Sequence, residues 1–281
     1  MIDRKAFPER TVVANKYSVG VVCIAGGSPC YPHAPVIAAL GARAAGAGLV
    51  HLVAPPESRF AAGALTPEAT FLEMGGRIDL PRADVAVVGM GLLPAAKGRA
   101  FFSKFLAGGF RRVVADAGAL AVLAAMRARG SVGKLRSKEV ELVITPHEGE
   151  AARLLGCERE AVSADRMSAA KALVSLYGAT VVLKGPRTIV VSADGRRTYE
   201  NDTGNPYLAM GGAGDLLSGV IGARWAYLKE DAFTAVSSSV WLHGAAADAI
   251  VSEPRDPSIA NVASEIGAMR IKLECKQVFP S

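Results

Sequence analysis

The sequence predicts an α/β fold: a three-layer α/β/α sandwich with a mostly parallel central sheet and an antiparallel edge hairpin. Three observations predict it. Short, nearly unbroken apolar runs recur along the chain, Ala-rich helix-compatible segments separate them, and the runs stop at glycine, proline or a polar residue. A strand apolar on both faces belongs to a sheet covered on both sides, since a half-exposed strand alternates polar and apolar residues.

The run at residues 19–25 ends at Gly26, Gly27 and Ser28 and feeds an Ala-rich stretch at 35–47, giving strand, glycine turn and helix. Runs at 49–54, stopped by Pro55 and Pro56, and at 84–88, reaching Gly89, Met90 and Gly91, supply further strands. Residues 112–115 form a strand leading into Asp116, 120–129 a helix, and 141–144 a strand leading into Thr145. Beyond Ser163, the residues Met167, Ala170, Leu173, Val174 and Tyr177 recur at helical spacing, with Asp165 placed to favour the helix start. A buried strand at 180–183 follows, and the strands 188–192 and 197–200 flank Asp194-Gly195, a strong hairpin signal. Three helices, at 216–227, 232–251 and 258–269, close the chain. No linker, repeat or low-complexity tract interrupts it, so a single domain over residues 1–281 is expected.

With 281 residues, 51% of them apolar, the chain can build a large core, which sets aside disordered, fibrous and disulfide-stapled classes. Lys and Arg exceed Asp and Glu, 32 to 26. The densest basic stretch, Arg127, Arg129, Lys134, Arg136 and Lys138, has no interleaved aromatics; like the tail at 270–276, it reads as a solvated surface that favours small anions, with no nucleic-acid partner expected. Cys23, Cys30, Cys157 and Cys275 lack metal-site spacing, which fits a reducing, cytoplasmic setting. The first ten residues are charged, and no uncharged apolar run reaches the roughly 20 residues a bilayer requires, so neither export nor a membrane is expected.

The chemistry concentrates in residues 201–219, where Gly211, Gly212, Ala213 and Gly214 precede Asp215. Glycines there let successive N–H groups converge at a helix start, forming an anion hole for phosphate oxygens. A carboxylate beside such a nest repels phosphate, so its useful role is to take a proton from a hydroxyl attacking phosphorus. The structural alternative is a tight turn in which Asp215 only complements the helix dipole. At residues 144–156, Thr145 is expected as N-cap, Pro146 at the first helical position, Glu148 as capping-box partner and Gly156 as the stop. His147 then sits at a strand's carboxyl end as a neutral hydrogen-bonding group for a ligand, or is satisfied within the protein. Glu150 is either a ligand for hydrated magnesium or a solvated helix residue. Asp116 and Lys184 both follow strands and are candidate pocket groups, against a capping role and a plain ion pair respectively. Gly89 and Gly91 supply two glycines of a dinucleotide fingerprint, but Pro94 occupies the third position, so hydride transfer has weak support. His243, within a helix beside Val240, Ala247 and Ile250, reads as structural. No zinc site or Ser-His-Asp triad is legible.

These two segments together resemble the ADP/ATP-dependent NAD(P)H-hydrate dehydratases, a family with a ribokinase-like fold, and the resemblance runs over residues 17–249. Gly26-Gly27-Ser28 is similar to the family's substrate-side loop, residues 46–50 to the end of its first long helix, 116–120 to its central aspartate segment, and 184–188 to its lysine loop. The Thr-Pro-His-x-Gly-Glu segment makes the match specific, because the glycine-aspartate motif alone also occurs in small-molecule kinases of this fold.

The resemblance implies an ADP-dependent (S)-NAD(P)H-hydrate dehydratase. The hydroxyl of hydrated NADH or NADPH (NADHX, NADPHX) is phosphorylated by ADP, or by ATP, and lost as phosphate, with Mg2+ as cofactor. It implies Asp215 as catalytic base; Gly27, Ser28, Gly91, Asp116 and His147 on the substrate side; and Lys184, Gly185, Arg187, Thr188, Asn205 and Gly214 on the nucleotide side. It also implies a homo-oligomer, such as a tetramer, served by a separate NAD(P)H-hydrate epimerase. Met210, Tyr207, Met90 and Leu93 depart from the family's usual residues. The alternative within this fold is a kinase for a hydroxymethyl-pyrimidine or thiazole alcohol, and outside catalysis it is a nucleotide sensor.

Overall fold

The computed structural model describes residues 6–74, 80–93, 96–107, 109–130, 140–229, 231–253 and 255–275. Lys134, Arg136 and Lys138 of the basic stretch, Pro94, Lys276 and the first five residues lie outside them.

Nine strands form one sheet in the order β3-β2-β1-β4-β5-β6-β7-β8-β9. They are β1 (Val21–Ala25), β2 (Leu49–Ala54), β3 (Thr70–Glu73), β4 (Val85–Val88), β5 (Arg112–Ala115), β6 (Glu141–Ile144), β7 (Thr180–Leu183), β8 (Ile189–Val191) and β9 (Thr198–Glu200). Strands β1 to β7 pair in parallel, and β8 and β9 add the antiparallel edge expected from Asp194-Gly195. The chain runs outward from β1 to β3 and then returns to place β4 against β1, which makes the β1/β4 carboxyl ends a switch point where open sheets take ligands.

Neighbouring strand residues feed opposite cores. Val22, Ile24, Val85 and Val87 face one layer, while Cys23, Ala25, Ala86 and Val88 face the other. The first layer holds α1 (Ala34–Ala44), α8 (Ala213–Leu228), α9 (Ala232–Ser252) and α10 (Ile259–Glu274). The second holds α3 (Ala96–Ala107), α4 (Gly118–Ala128), α5 (Glu148–Leu155), α6 (Arg159–Ala164) and α7 (Arg166–Tyr177). A short α2 (Arg59–Leu65) follows β2. Helices α1 and α8 cross with their backbones in contact: a Cβ on Gly219 would lie 1.8 Å from the Ala38 carbonyl oxygen, and one on Gly41 2.2 Å from that of Leu216. Only glycine permits that approach, which seats the start of α8 over the strand ends.

Strands β2, β5, β6 and β7 occupy the predicted residues. The strand expected from residue 19 starts at Val21, after Gly20 turns at φ +101°, and the one expected from Asp84 starts at Val85, with Asp84 Oδ2 accepting the Val21 N–H at 2.8 Å. The final helix continues past 269 to Glu274, and α8 begins three residues earlier than expected, which puts Gly214 and Asp215 within the helix.

Candidate active site

Loops at the carboxyl ends of β5, β6 and β7 meet the N-terminus of α8, and four charged groups converge there. Asp116, directly after β5, is 1% exposed. Its Oδ1 accepts from Lys184 Nζ at 2.8 Å and from the Ala117 N–H at 2.9 Å, and its Oδ2 accepts from the Ser218 hydroxyl at 2.7 Å. Lys184, directly after β7, is anchored by its own N–H, which donates to the Pro146 carbonyl at 2.8 Å. Its Nζ is also 4.0 Å from Glu150 Oε2. Burial pulls the ammonium's pKa down, but Asp116, then Glu150, then Asp215 more than offset this, and the net shift is upward. Lys184 therefore stays charged.

Gly212 caps α8 at φ +92°, and no side chain caps the helix. That conformation is open to glycine and strained for other residues. A Cβ on Gly214 would sit 3.2 Å from Lys184 Nζ, so the ammonium lies on the first turn of α8. Asp215 occupies the same turn. Burial pushes its carboxyl up to about 7, with Asp116 and Glu150 adding to the rise and Lys184 opposing it. An acid held near neutrality beside a positive helix end can accept a proton at physiological pH and sit near phosphate oxygens that bind the helix end.

The sequence placed the cap of α5 two residues too early. His147, not Thr145, is the N-cap: its Nδ1 accepts from the N–H groups of Gly149 (3.0 Å) and Glu150 (3.3 Å), and Glu150 Oε2 accepts the His147 N–H at 2.9 Å. Thr145 is buried and bonds toward the Ala115 carbonyl, holding β6 to β5. Glu148 faces Arg166, with 3.3 Å between Oε1 and Nε. With Nδ1 accepting two N–H groups of its own helix, His147 is satisfied on that side within the protein, one of the two readings the sequence leaves open.

Arg187, Thr188, Gly185, Lys184, Asn205 and Gly214, all expected on the nucleotide side, line one cavity of about 610 Å³ with Ala213. Asn205 is held from both ends: its Nδ2 donates to Asp248 Oδ1 at 3.0 Å, and its Oδ1 accepts from the Tyr207 N–H at 3.1 Å. Gly27, Ser28 and Gly91 cluster at the β1/β4 switch point. The Gly27 N–H donates to the Met90 carbonyl at 2.7 Å, and Ser28 Oγ is buried without a hydrogen-bond partner. Gly211 is exposed, with open space where a Cβ would stand.

Sequence reasoning missed Ser218, Asp248 and Arg166, and gave His243 only a structural place. A serine three residues beyond Asp215 in an apolar helix was the available signal for Ser218. His243 borders the same cavity, and burial drives its pKa down to about 4 against a partial rise from the Ala213 backbone. Among the described residues, no group of three or more His, Cys, Asp or Glu side chains could hold a metal ion. Glu150 is occupied by the α5 cap and stands near the Lys184 ammonium, so these side chains do not build a protein cage for Mg2+.

A glycine-led helix start, a near-neutral acid in its first turn and an adjoining cavity stand on a sheet and helix arrangement of the ribokinase-like fold. The family model described as NAD(P)H-hydrate dehydratase matches residues 22–266, and the chain belongs to that family. It is 37% identical over 250 residues to the ADP-dependent (S)-NAD(P)H-hydrate dehydratase of Neisseria meningitidis, covering 87% of this chain and 81% of that protein. It is 34% identical over 266 residues to the bifunctional NAD(P)H-hydrate repair enzyme of Leishmania infantum, covering 87% of this chain but 47% of that protein, so the chain spans about half the length of such relatives. The crystal structure of the Bacillus subtilis ADP/ATP-dependent NAD(P)H-hydrate dehydratase, co-crystallised with ATP and Mg2+, superposes with a TM-score of 0.81 at 28% identity, covering 96% and 95% of the two chains.

Proposed function

We propose that this chain is an ADP-dependent (S)-NAD(P)H-hydrate dehydratase that restores NADH or NADPH from the hydrated cofactor. The observation that carries the reading is Asp215, held near pKa 7 in the first turn of a helix whose start adjoins the cavity. The nucleotide lies along the loop from Lys184 to Thr188 and against Asn205, with its terminal phosphoryl group at the N–H groups of Gly211 to Gly214. The ring hydroxyl of the hydrate approaches from the side of Gly27, Ser28, Gly91 and His147. Asp215 takes its proton as the oxygen attacks phosphorus, and AMP leaves with the electron pair of the broken P–O bond. Lys184, fixed by Asp116, places a positive charge beside the phosphoryl group. The ring nitrogen then expels phosphate, and loss of the proton on the neighbouring carbon restores the double bond.

Mg2+ bound to the nucleotide would supply charge neutralisation on the phosphates. The same reading gives the chain one epimer of the hydrate, an NAD(P)H-hydrate epimerase as functional partner, a homo-oligomeric state and a cytoplasmic setting. The epimerase is supported by the bifunctional relatives of twice the matched length. No helix among the described residues is long and apolar enough to cross a membrane.

The test is freshly prepared NADH hydrate supplied with ADP and ATP in separate reactions. Recovery of the reduced-cofactor absorbance with stoichiometric free phosphate, faster with ADP, supports the reading. A stable phosphorylated product, or nucleotide binding without turnover, refutes it.

A further inference from the structure

We propose that Arg166 is a positioning residue that presets the lysine loop for the nucleotide. Its guanidinium, at the first position of α7, spans the whole turn after β7. Nη1 donates to the carbonyls of Pro186 (2.5 Å) and Arg187 (3.3 Å), and Nη2 donates to those of Leu183 (3.2 Å) and Lys184 (3.4 Å). Nε faces Glu148 Oε1 at 3.3 Å, and Glu148 Oε2 is in turn held by the Ser163 hydroxyl at 2.9 Å. One side chain thus ties the loop between β7 and β8 to α5, whose N-cap is His147.

Two backbone features depend on this splint. Gly185 lies at φ +148°, and a Cβ there would come within 2.8 Å of Arg166 Nη2, so the guanidinium fills the space a side chain would need. Arg187 adopts φ +54°, a left-handed conformation that is strained for a non-glycine residue. Its carbonyl is one of the four that Arg166 holds. Carbonyl oxygens gathered on a guanidinium do not point into the cavity, where they would repel an anionic nucleotide. Residues Lys184 to Thr188 line the cavity from this loop, while the carbonyls of Leu183, Lys184, Pro186 and Arg187 are taken up by Arg166. A lysine at position 166 would carry the charge on a flexible point donor and could not bridge four carbonyls in one plane.

The inference rests on the nucleotide occupying this cavity, and binding separates its failure from failure of the proposed reaction. ADP affinity is measured by calorimetry without hydrate on the full chain, for wild type, Arg166→Lys and Glu148→Gln. Separate KM values for ADP and hydrate, kcat and thermal midpoints are then recorded. Arg166→Lys is expected to weaken ADP binding and raise its KM about 10-fold while the hydrate KM stays within about twofold; Glu148→Gln, which leaves Arg166 in place, shifts ADP binding about threefold in the same direction. Unchanged ADP affinity in both variants overturns the proposal, as does a parallel loss for ADP and hydrate that tracks the fall in thermal midpoint. If Arg166→Lys does not fold, Glu148→Gln alone decides by its ADP affinity. ADP binding by the wild type without restored cofactor refutes the proposed reaction and leaves this inference standing; no ADP binding refutes both.

Discussion

Lys184 Nζ lies 2.8 Å from Asp116 Oδ1, a contact between residues 68 positions apart that joins the carboxyl ends of β5 and β7 under the start of α8. The pair fills one carboxylate oxygen with an ammonium and a backbone N–H, leaving the other to Ser218. Asp116 therefore fixes where the ammonium stands, and its negative charge helps to raise the Asp215 carboxyl.

Breaking that buried pair from one side leaves an uncompensated charge, which costs about 3–5 kcal/mol. Lys184→Met and Asp116→Asn should each lower stability on that scale in urea unfolding, and the double variant should cost clearly less than their sum. Ser218→Ala should cost about 1–3 kcal/mol, because it strips a partner from a buried carboxylate. Additive losses in the double variant would contradict the pairing.

The raised Asp215 carboxyl links stability to pH with a definite sign. Between its ordinary value of 3.8 and about 7, the folded protein keeps a proton that the unfolded chain has released. The stability this confers is present in full below 3.8 and lost as pH rises through about 7. Asp215→Asn should therefore raise the thermal midpoint more at pH 8 than at pH 5, with an upper bound of about 4 kcal/mol at 1.36 kcal/mol per pKa unit. Catalysis runs the opposite way: kcat/KM of the wild type should fall about tenfold per pH unit below the free-enzyme value near 7.

Gly211 and Gly212 are adjacent but should respond differently to alanine. At Gly212 the φ of +92° strains any side chain, and a Cβ would lie 2.9 Å from Ile37 Cδ1. Gly212→Ala should cost about 1–2 kcal/mol and reduce turnover by tilting the start of α8. At Gly211 a Cβ meets nothing within 4 Å, so Gly211→Ala should change stability by less than about 0.5 kcal/mol in the same unfolding assay.

The strands legible in the sequence are those buried on both faces, such as β5 to β7, where a continuous apolar run between turn residues leaves little choice of element. Strand β3, Thr-Phe-Leu-Glu, is a half-exposed edge whose short apolar centre gives no such signal. The glycine-led helix start with Asp215 in its first turn is legible because those residue types and their spacing mark such a start locally. The α5 cap was misplaced because Thr145 and Glu148 satisfy the usual capping spacing, while the structure uses a histidine ring nitrogen in its place. The Lys184–Asp116 contact and the reach of Arg166 across the lysine loop depend on chain crossings that no local pattern encodes.

The central claim is that Asp215 accepts the proton of a hydroxyl attacking a nucleotide held at the start of α8. The direct measurement is turnover of hydrated NADH by Asp215→Asn at saturating ADP, alongside ADP affinity. The account predicts a loss of turnover of about 10²–10⁴-fold with ADP affinity within a few-fold of wild type. Near-normal turnover in Asp215→Asn would contradict it.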